Sequence, residues 1–219
     1  NDGTYMKDRD CKACLKVIIR HLNHDNSKFD IRYTLGTLNI VKFDLIPLLV
    51  QYCDLNEGDK DLLNLVVQLC TNLTSSMLLL YENQEIPTEP ESIKDYNKLS
   101  KKLFGYKEAF ADDVVIWETL NTHLKHTEDE IPFERLLILI RNILLIPVDS
   151  TSDFCISREY DAHDMCLYWM DKSGMLQTLI DIASGTQRGT EFCFHIMEIV
   201  YLMLRGKNPV TIASTKSIS

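Results

Sequence analysis

Four residues near the N-terminus have the types that bind zinc, in the arrangement Cys11-x2-Cys14-x6-His21-x2-His24. Zinc draws its ligands to within about 2.3 Å of one point. Cys11, Leu15, Ile18 and Leu22 repeat at a helical period, and a single helix would hold Cys11 and His21 roughly 15 Å apart along its axis. Only a broken helix would gather the set, so it reads as ordinary packing and no metal is assigned. Two further pairs, Glu159 with His163 and Glu191 with His195, place a carboxylate and an imidazole one helical turn apart. That spacing suits a general base and the group that orients it, but no nucleophile is attached to either pair by sequence. A Gly-rich phosphate loop and a G-x-S-x-G elbow are both missing from the sequence. The chain is therefore not read as an enzyme, and no cofactor is expected.

The remaining chemistry is that of binding. Lys94, Lys98, Lys101, Lys102 and Lys107 fall within fourteen residues, with Tyr96, Phe104 and Tyr106 between them. Lys94, Lys98, Lys101 and Lys102 fall at helical spacing, which sets several ammonium groups on one side, where they can meet phosphates without reading bases. The bland alternative is a solvated helix face. Residues 112–130 are acidic by contrast, and either dock a basic partner or keep the chain soluble. The most pointed polar pair is Arg141-Asn142, inside an otherwise apolar stretch. A buried Arg is costly unless paired, so the pair either ties neighbouring segments together or lines a groove. Asn72 stands between aliphatics in the same way and joins it as a groove candidate.

These residues need helices to position them. Eight Gly and six Pro among 219 residues are roughly half the usual share. A sandwich or barrel needs turn-formers every ~8–12 residues, so the class is all-α. The apolar period predicts helices over Cys11–Leu22, then from a Ser27 cap through Leu38. Asp44 is expected to cap a helix that carries Pro47 in its first turn and ends at Tyr52. Asp61–Leu73 follows, with a further turn over Ser76–Tyr81. After a loop containing Pro87 and Pro90, apolar positions mark helices around Ile93–Leu103 and Val114–Leu124. The stretch Ile131–Ile146 is apolar nearly all round, which predicts a helix buried on several sides. Pro147 ends it. Beyond a second loop, helices are expected over Tyr160–Asp171, Met175–Ala183 and Thr190–Leu204, punctuated by Gly174, Gly185 and Gly206. That makes about ten helices with short connections, which suits a superhelical solenoid better than one bundle. Leu69–Leu73 and Leu139–Ile143 each end an apolar helix with Asn between aliphatics, a pattern that resembles the third helix of armadillo repeats, where the Asn side chain faces the concave groove.

The chain is 45% hydrophobic and 25% charged, enough to bury a sizeable core as a single domain over residues 1–219. A formal net charge of −9 disfavours gripping nucleic acid with the whole surface. No run of eighteen apolar residues occurs, so no membrane partner is expected. Seven cysteines, an odd number spread along the chain, read as reduced thiols of a cytosolic or nuclear protein. The chain opens on Asn1 rather than Met, stops at Ser219 in a polar stretch, and reads as a piece of a longer protein.

Phe133 to Pro147, with its Arg141-Asn142 pair, resembles the central helix of the Timeless N-terminal domain. Six other stretches match in order: Gly3-Thr-Tyr5, Asp44 to Leu49, Leu69 to Thr74, Tyr106 to Phe110, Ala162-His-Asp164, and His195 to Val200 running into Leu204 to Pro209. The resemblance covers nearly the whole chain. It implies an armadillo/HEAT-like right-handed α-solenoid. It also implies a nuclear scaffold that pairs with the small protein Tipin in the fork protection complex, rides with the MCM-containing replicative helicase and contacts duplex DNA weakly. Such a scaffold supports checkpoint signalling and sister-chromatid cohesion. An insect branch of the family works instead with Period in the circadian clock, and that is the alternative; the Leu204–Pro209 stretch points to the replication branch. The resemblance supplies no catalytic residue and assigns no contact residue, so the lysines and the Asn72/Arg141/Asn142 set stand on the sequence alone.

Overall fold

Carboxylates and hydroxyls set just ahead of apolar runs fix where several helices begin. The side chains of Asp59, Asp113 and Asp161 accept from backbone N–H groups in the first turns that follow them, satisfying donors that a helix start leaves open. In the computed structural model, residues 5–25, 29–52, 59–81, 85–149, 161–185, 187–208 and 210 are described. Among them eleven α-helices form and no strand does. They are α1 (Cys11–Asn23), α2 (Asp30–Leu38), α3 (Ile46–Tyr52), α4 (Lys60–Thr74), α5 (Pro90–Phe110) and α6 (Val114–His126), then α7 (Glu130–Leu145), α8 (Ala162–Lys172), α9 (Met175–Ser184), α10 (Gln187–Glu191) and α11 (Cys193–Leu204). A 3-10 turn over Met77–Leu80 follows α4. No single helix among the described residues is long and apolar enough to cross a membrane.

Three starts differ from the sequence expectation. Ser27 lies outside the described residues, and Asp25 does the capping instead, accepting from Ile31 N at 3.2 Å and Arg32 N at 2.9 Å. Phe29 precedes α2 with a left-handed backbone (φ 55°) and is buried in the core. Asp44 caps nothing. It sits inside a π-helical turn, Val41–Leu45, that runs directly into α3. Pro47 has no N–H to return to the carbonyl four residues back, so the regular ladder is already interrupted where the wider turn forms. The helix expected over Thr190–Leu204 breaks at Phe192, between α10 and α11. Phe192 is buried and its ring lies 5.0 Å from that of Phe133 on α7, so packing on a neighbouring helix displaces local helical continuity.

One row of helices runs through the molecule: α1 packs on α4, α4 on α7, and α7 on α11. Beside it α2 packs on α5, α3 on α6, and α6 on α8 and α9. α7 is enclosed as its apolar circumference predicts. Leu136, Leu137, Leu139, Ile140, Ile143 and Leu144 are all buried, while Ile131 at its start is exposed.

The ends of the central helices share one device. A helix leaves its last four carbonyls without partners of its own, and here donors from other segments take several of them. On α4, the Thr71 carbonyl accepts from Asn142 Nδ2 at 3.2 Å and the Asn72 carbonyl from Arg32 at 2.7 Å. At the end of α5, the Phe110 and Ala111 carbonyls accept from the indoles of Trp117 (2.8 Å) and Trp169 (2.9 Å). The end of α7 is served by Lys107 and Arg205.

Candidate functional site

The lysines of α5 divide into two groups. Lys94, Lys98 and Lys101 are exposed and share a face at i, i+4 and i+7, as the spacing predicts. With Pro90, Ile93 and Asn97 they line a shallow concavity of about 370 Å³. Acids stand among them. Lys98 Nζ meets Asp95 Oδ1 at 2.9 Å, a hydrogen bond that raises the ammonium pKa, and Asp30, Glu91 and Asp95 line an adjoining cleft with Lys94 and Lys98. Any phosphate held here would compete with those carboxylates, so the face suits weak, salt-sensitive contact. Lys102 points elsewhere: it is half-buried, its ammonium lies 5.0 Å from the centre of the Tyr33 ring, and its stem backs Gly36 of α2.

Lys107 does not belong to that face at all. It is 1% exposed, and its ammonium donates to the carbonyls of Leu144 (3.3 Å) and Ile146 (2.6 Å) and to His163 Nδ1 (3.0 Å). The helical rotation from Lys101 to Lys107 carries it to the inner side of α5, where the partial negative end of α7 offers what a buried cation requires. Burial lowers its pKa to about 8, and burial together with the facing Lys107 ammonium lowers that of His163 to about 4. His163 is therefore a neutral acceptor at Nδ1. Its Nε2, carrying the hydrogen in that tautomer, is buried without a hydrogen-bond partner among the described residues. Arg205 adds two longer donations, 3.4 Å each, to the Leu144 and Leu145 carbonyls, and Lys207 pairs with Asp164.

The groove candidates are likewise mostly internal. Asn142 is 1% exposed; its amide nitrogen donates to Thr71 O and its amide oxygen accepts from Arg141 at 3.0 Å. It ties α7 to α4 and is not open to a partner. Arg141 reaches Glu198 of α11 at 3.5 Å. Asn72 is half-buried, with its amide 3.4 Å from Asn23 of α1. The three residues thus bridge successive members of the helix row. Arg32, which residue type and spacing do not single out, belongs with them: 7% exposed, with a pKa lowered by burial, and held by Asn72 O. The hint in the sequence is its place with Gly36, one turn apart on the same face of α2.

Of the two carboxylate–imidazole pairs, only Glu191 with His195 falls within the described residues, and those two do not share one helix. Glu159 lies outside the described residues. The break at Phe192 separates Glu191 from His195, and His195 Nε2 meets Glu134 Oε1 of α7 at 3.1 Å instead. α1 runs unbroken over Cys11–Asn23, which keeps Cys11 and His21 apart. No group of three or more possible metal ligands occurs among the described residues.

What the contacts join is informative. Tyr5 donates its hydroxyl to Asp44 at 2.9 Å. Asn142 reaches Thr71, Lys107 joins the end of α7 to His163, His195 meets Glu134, and Arg205 returns to Leu144. Each of the seven stretches singled out in the sequence therefore holds another through a polar contact. The sequence profile of the Timeless protein family matches residues 4–219. The chain belongs to the Timeless family. The human "Protein timeless homolog" is 36% identical over 219 residues, a span covering 96% of this chain and 18% of that protein. The mouse "Protein timeless homolog" is 33% identical over 220 residues with the same coverage. The "Mating-type switching protein swi1" of Schizosaccharomyces pombe (strain 972 / ATCC 24843) is 24% identical over 238 residues, covering all of this chain and 23% of its own length. This Timeless-family chain thus spans about a fifth of the length of those curated relatives.

Proposed function

We propose that this chain is the helical-repeat scaffold region of a replication fork protection protein, a non-enzymatic nuclear module within a longer polypeptide. On this reading it binds a Tipin-like partner and the MCM-containing helicase and contacts duplex DNA weakly through Lys94, Lys98 and Lys101. The observation that carries it is the Timeless match over residues 4–219 together with the contacts that lock its matching stretches to one another. An armadillo/HEAT-like right-handed superhelix is part of the proposal. It is supported by the row α1, α4, α7, α11 and by Asn72 and Asn142, which sit at corresponding places near the ends of α4 and α7 and bridge to neighbours in that row. Co-expression with Tipin followed by size-exclusion chromatography and light scattering tests the assignment. A stable 1:1 complex is expected; separate elution would remove the Tipin site from these residues.

A further inference from the structure

The cysteines at the start of α1 are assigned no role by the scaffold reading. We propose that Cys11 and Cys14 form a redox-active dithiol, a modification site that closes to a disulfide within the first turn of α1 when a low-molecular-weight disulfide is present. Both are free thiols, Cys14 exposed and Cys11 partly buried. α1 begins at Cys11, so the two occupy positions i and i+3 of its opening turn, on one side of the helix. Helical geometry sets their Cα atoms roughly 5 Å apart, within the ~4.4–6.8 Å that a disulfide spans. The other cysteines of the described residues have no second cysteine within a helical turn in sequence: Cys70 and Cys166 are buried, and Cys193 begins α11.

The turn is anchored from outside, while the two Cβ atoms, about 5–6 Å apart in a regular helix, must draw together to the ~3.5–4.5 Å of a disulfide by a local tightening of that turn. Lys12, between them, pairs with Asp59 at 2.6 Å, and Asp59 in turn caps α4. Ahead of the turn, Tyr5 donates to Asp44 and its carbonyl accepts from the Tyr52 hydroxyl at 2.7 Å, while Tyr52 O–H also lies 3.3 Å from the Lys7 amide. The dithiol thus sits where the N-terminal segment, α3 and the start of α4 are joined. Closure stiffens the turn that carries Lys12.

Exchange with glutathione disulfide balances without another reactant. The exposed Cys14, as its thiolate, attacks one glutathione sulfur. That S–S bond breaks, a mixed disulfide forms, and the departing glutathione thiolate takes up the proton Cys14 released. Cys11, as its thiolate, then attacks the Cys14 sulfur and expels the second glutathione, which takes up the proton from Cys11. The protein loses two electrons and two protons, and one glutathione disulfide becomes two glutathione thiols.

The test is a glutathione redox titration of the whole chain, quenched in acid, alkylated with N-ethylmaleimide and digested with trypsin without reduction. Cleavage after Lys12 separates the cysteines, so the disulfide appears as Asp10–Lys12 linked to Ala13–Lys16. This linked pair is expected to accumulate as the buffer becomes oxidising, to vanish on adding dithiothreitol, and to be absent in Cys14→Ser, an exposed position whose substitution leaves the helical circular dichroism unchanged. Alkylated or glutathionylated Cys14 at every ratio, or either cysteine linked to a different one, would overturn the proposal.

Discussion

At the scale of single residues, the polar side chains with the clearest work are those that the solvent hardly reaches. Asn142 bonds a carbonyl of α4 and holds the Arg141 guanidinium. Asn142→Ala leaves both without that partner, and such losses cost ~1–3 kcal/mol. Urea unfolding is expected to show the midpoint lowered at an unchanged slope. His163 sets a pH dependence. Its imidazole protonates near 4 in the fold and near the ordinary 6.5 when unfolded. Between those values the unfolded chain binds more protons, so stability falls as pH drops through the window, by at most about 3 kcal/mol. The charged groups around it are Lys107, Asp161, Lys207 and Arg205. His163→Gln keeps an acceptor for Lys107 but does not titrate. Thermal midpoints measured from pH 7 to 4 should fall less steeply in that variant; equal slopes would assign the acid sensitivity elsewhere.

At the scale of the element, α5 presents two faces with different tasks. Its outer side carries Lys94, Lys98 and Lys101; its inner side buries Leu99, Leu103, Tyr106, Lys107 and Phe110. Changing the three exposed lysines together to Glu is expected to weaken duplex binding at low salt. It should also flatten the salt dependence, the log–log slope becoming shallower by about 0.9 for each phosphate no longer neutralised. Affinity equal to wild type in fluorescence anisotropy would make the face merely solvated. Lys102 is left out of that variant because its stem fills the crossing of α5 with α2. A Cβ added to Gly36 would lie 2.7 Å from Lys102 Cβ and Cγ, too close for either backbone to ignore. Gly36→Ala is therefore expected to destabilise by roughly 1–3 kcal/mol, read as a lower thermal midpoint. Its better helix propensity alone would predict the opposite sign.

At the scale of the whole molecule, the helices are joined by donors that finish one another's C-terminal ends. Arg32 and Asn142 serve α4, Trp117 and Trp169 serve the end of α5, Lys107 and Arg205 serve α7, and Asn121 donates to Ser173 after α8 at 2.7 Å. Apart from the Trp117–Phe110 bond, which spans seven residues, these bonds cross long stretches of chain, so losing one weakens several elements together. Lys107→Met removes the cation from the junction of α5, α7 and α8 and leaves buried acceptors open. A loss on the order of 3 kcal/mol is expected. Because both tryptophans lie close to that junction, fluorescence and far-ultraviolet circular dichroism should report the same lowered midpoint. Separate transitions would mean that the C-terminal helices unfold independently.

The sequence by itself determined the helical class, most helix spans, the enclosed helix at Glu130–Leu145 and the family. Each of these depends on local order: apolar period, caps, Pro and Gly stops, and stretches matched in sequence. Even there its reach ended where a neighbour decided, as at Asp44, drawn to Tyr5 within a π turn, and at Phe192, drawn out of helix onto Phe133. The spacing sets Lys107 on the side of its helix away from Lys94, Lys98 and Lys101, but only the tertiary structure shows which of those sides is covered. All four are lysines on one helix, and a type and a spacing do not say which side of that helix another element will cover. For the same reason Arg32 was unreadable as a buried residue until α4 supplied the Asn72 carbonyl that compensates its burial. A charged side chain's role is set by the partner it meets, and those partners lie 37 to 56 residues away in sequence.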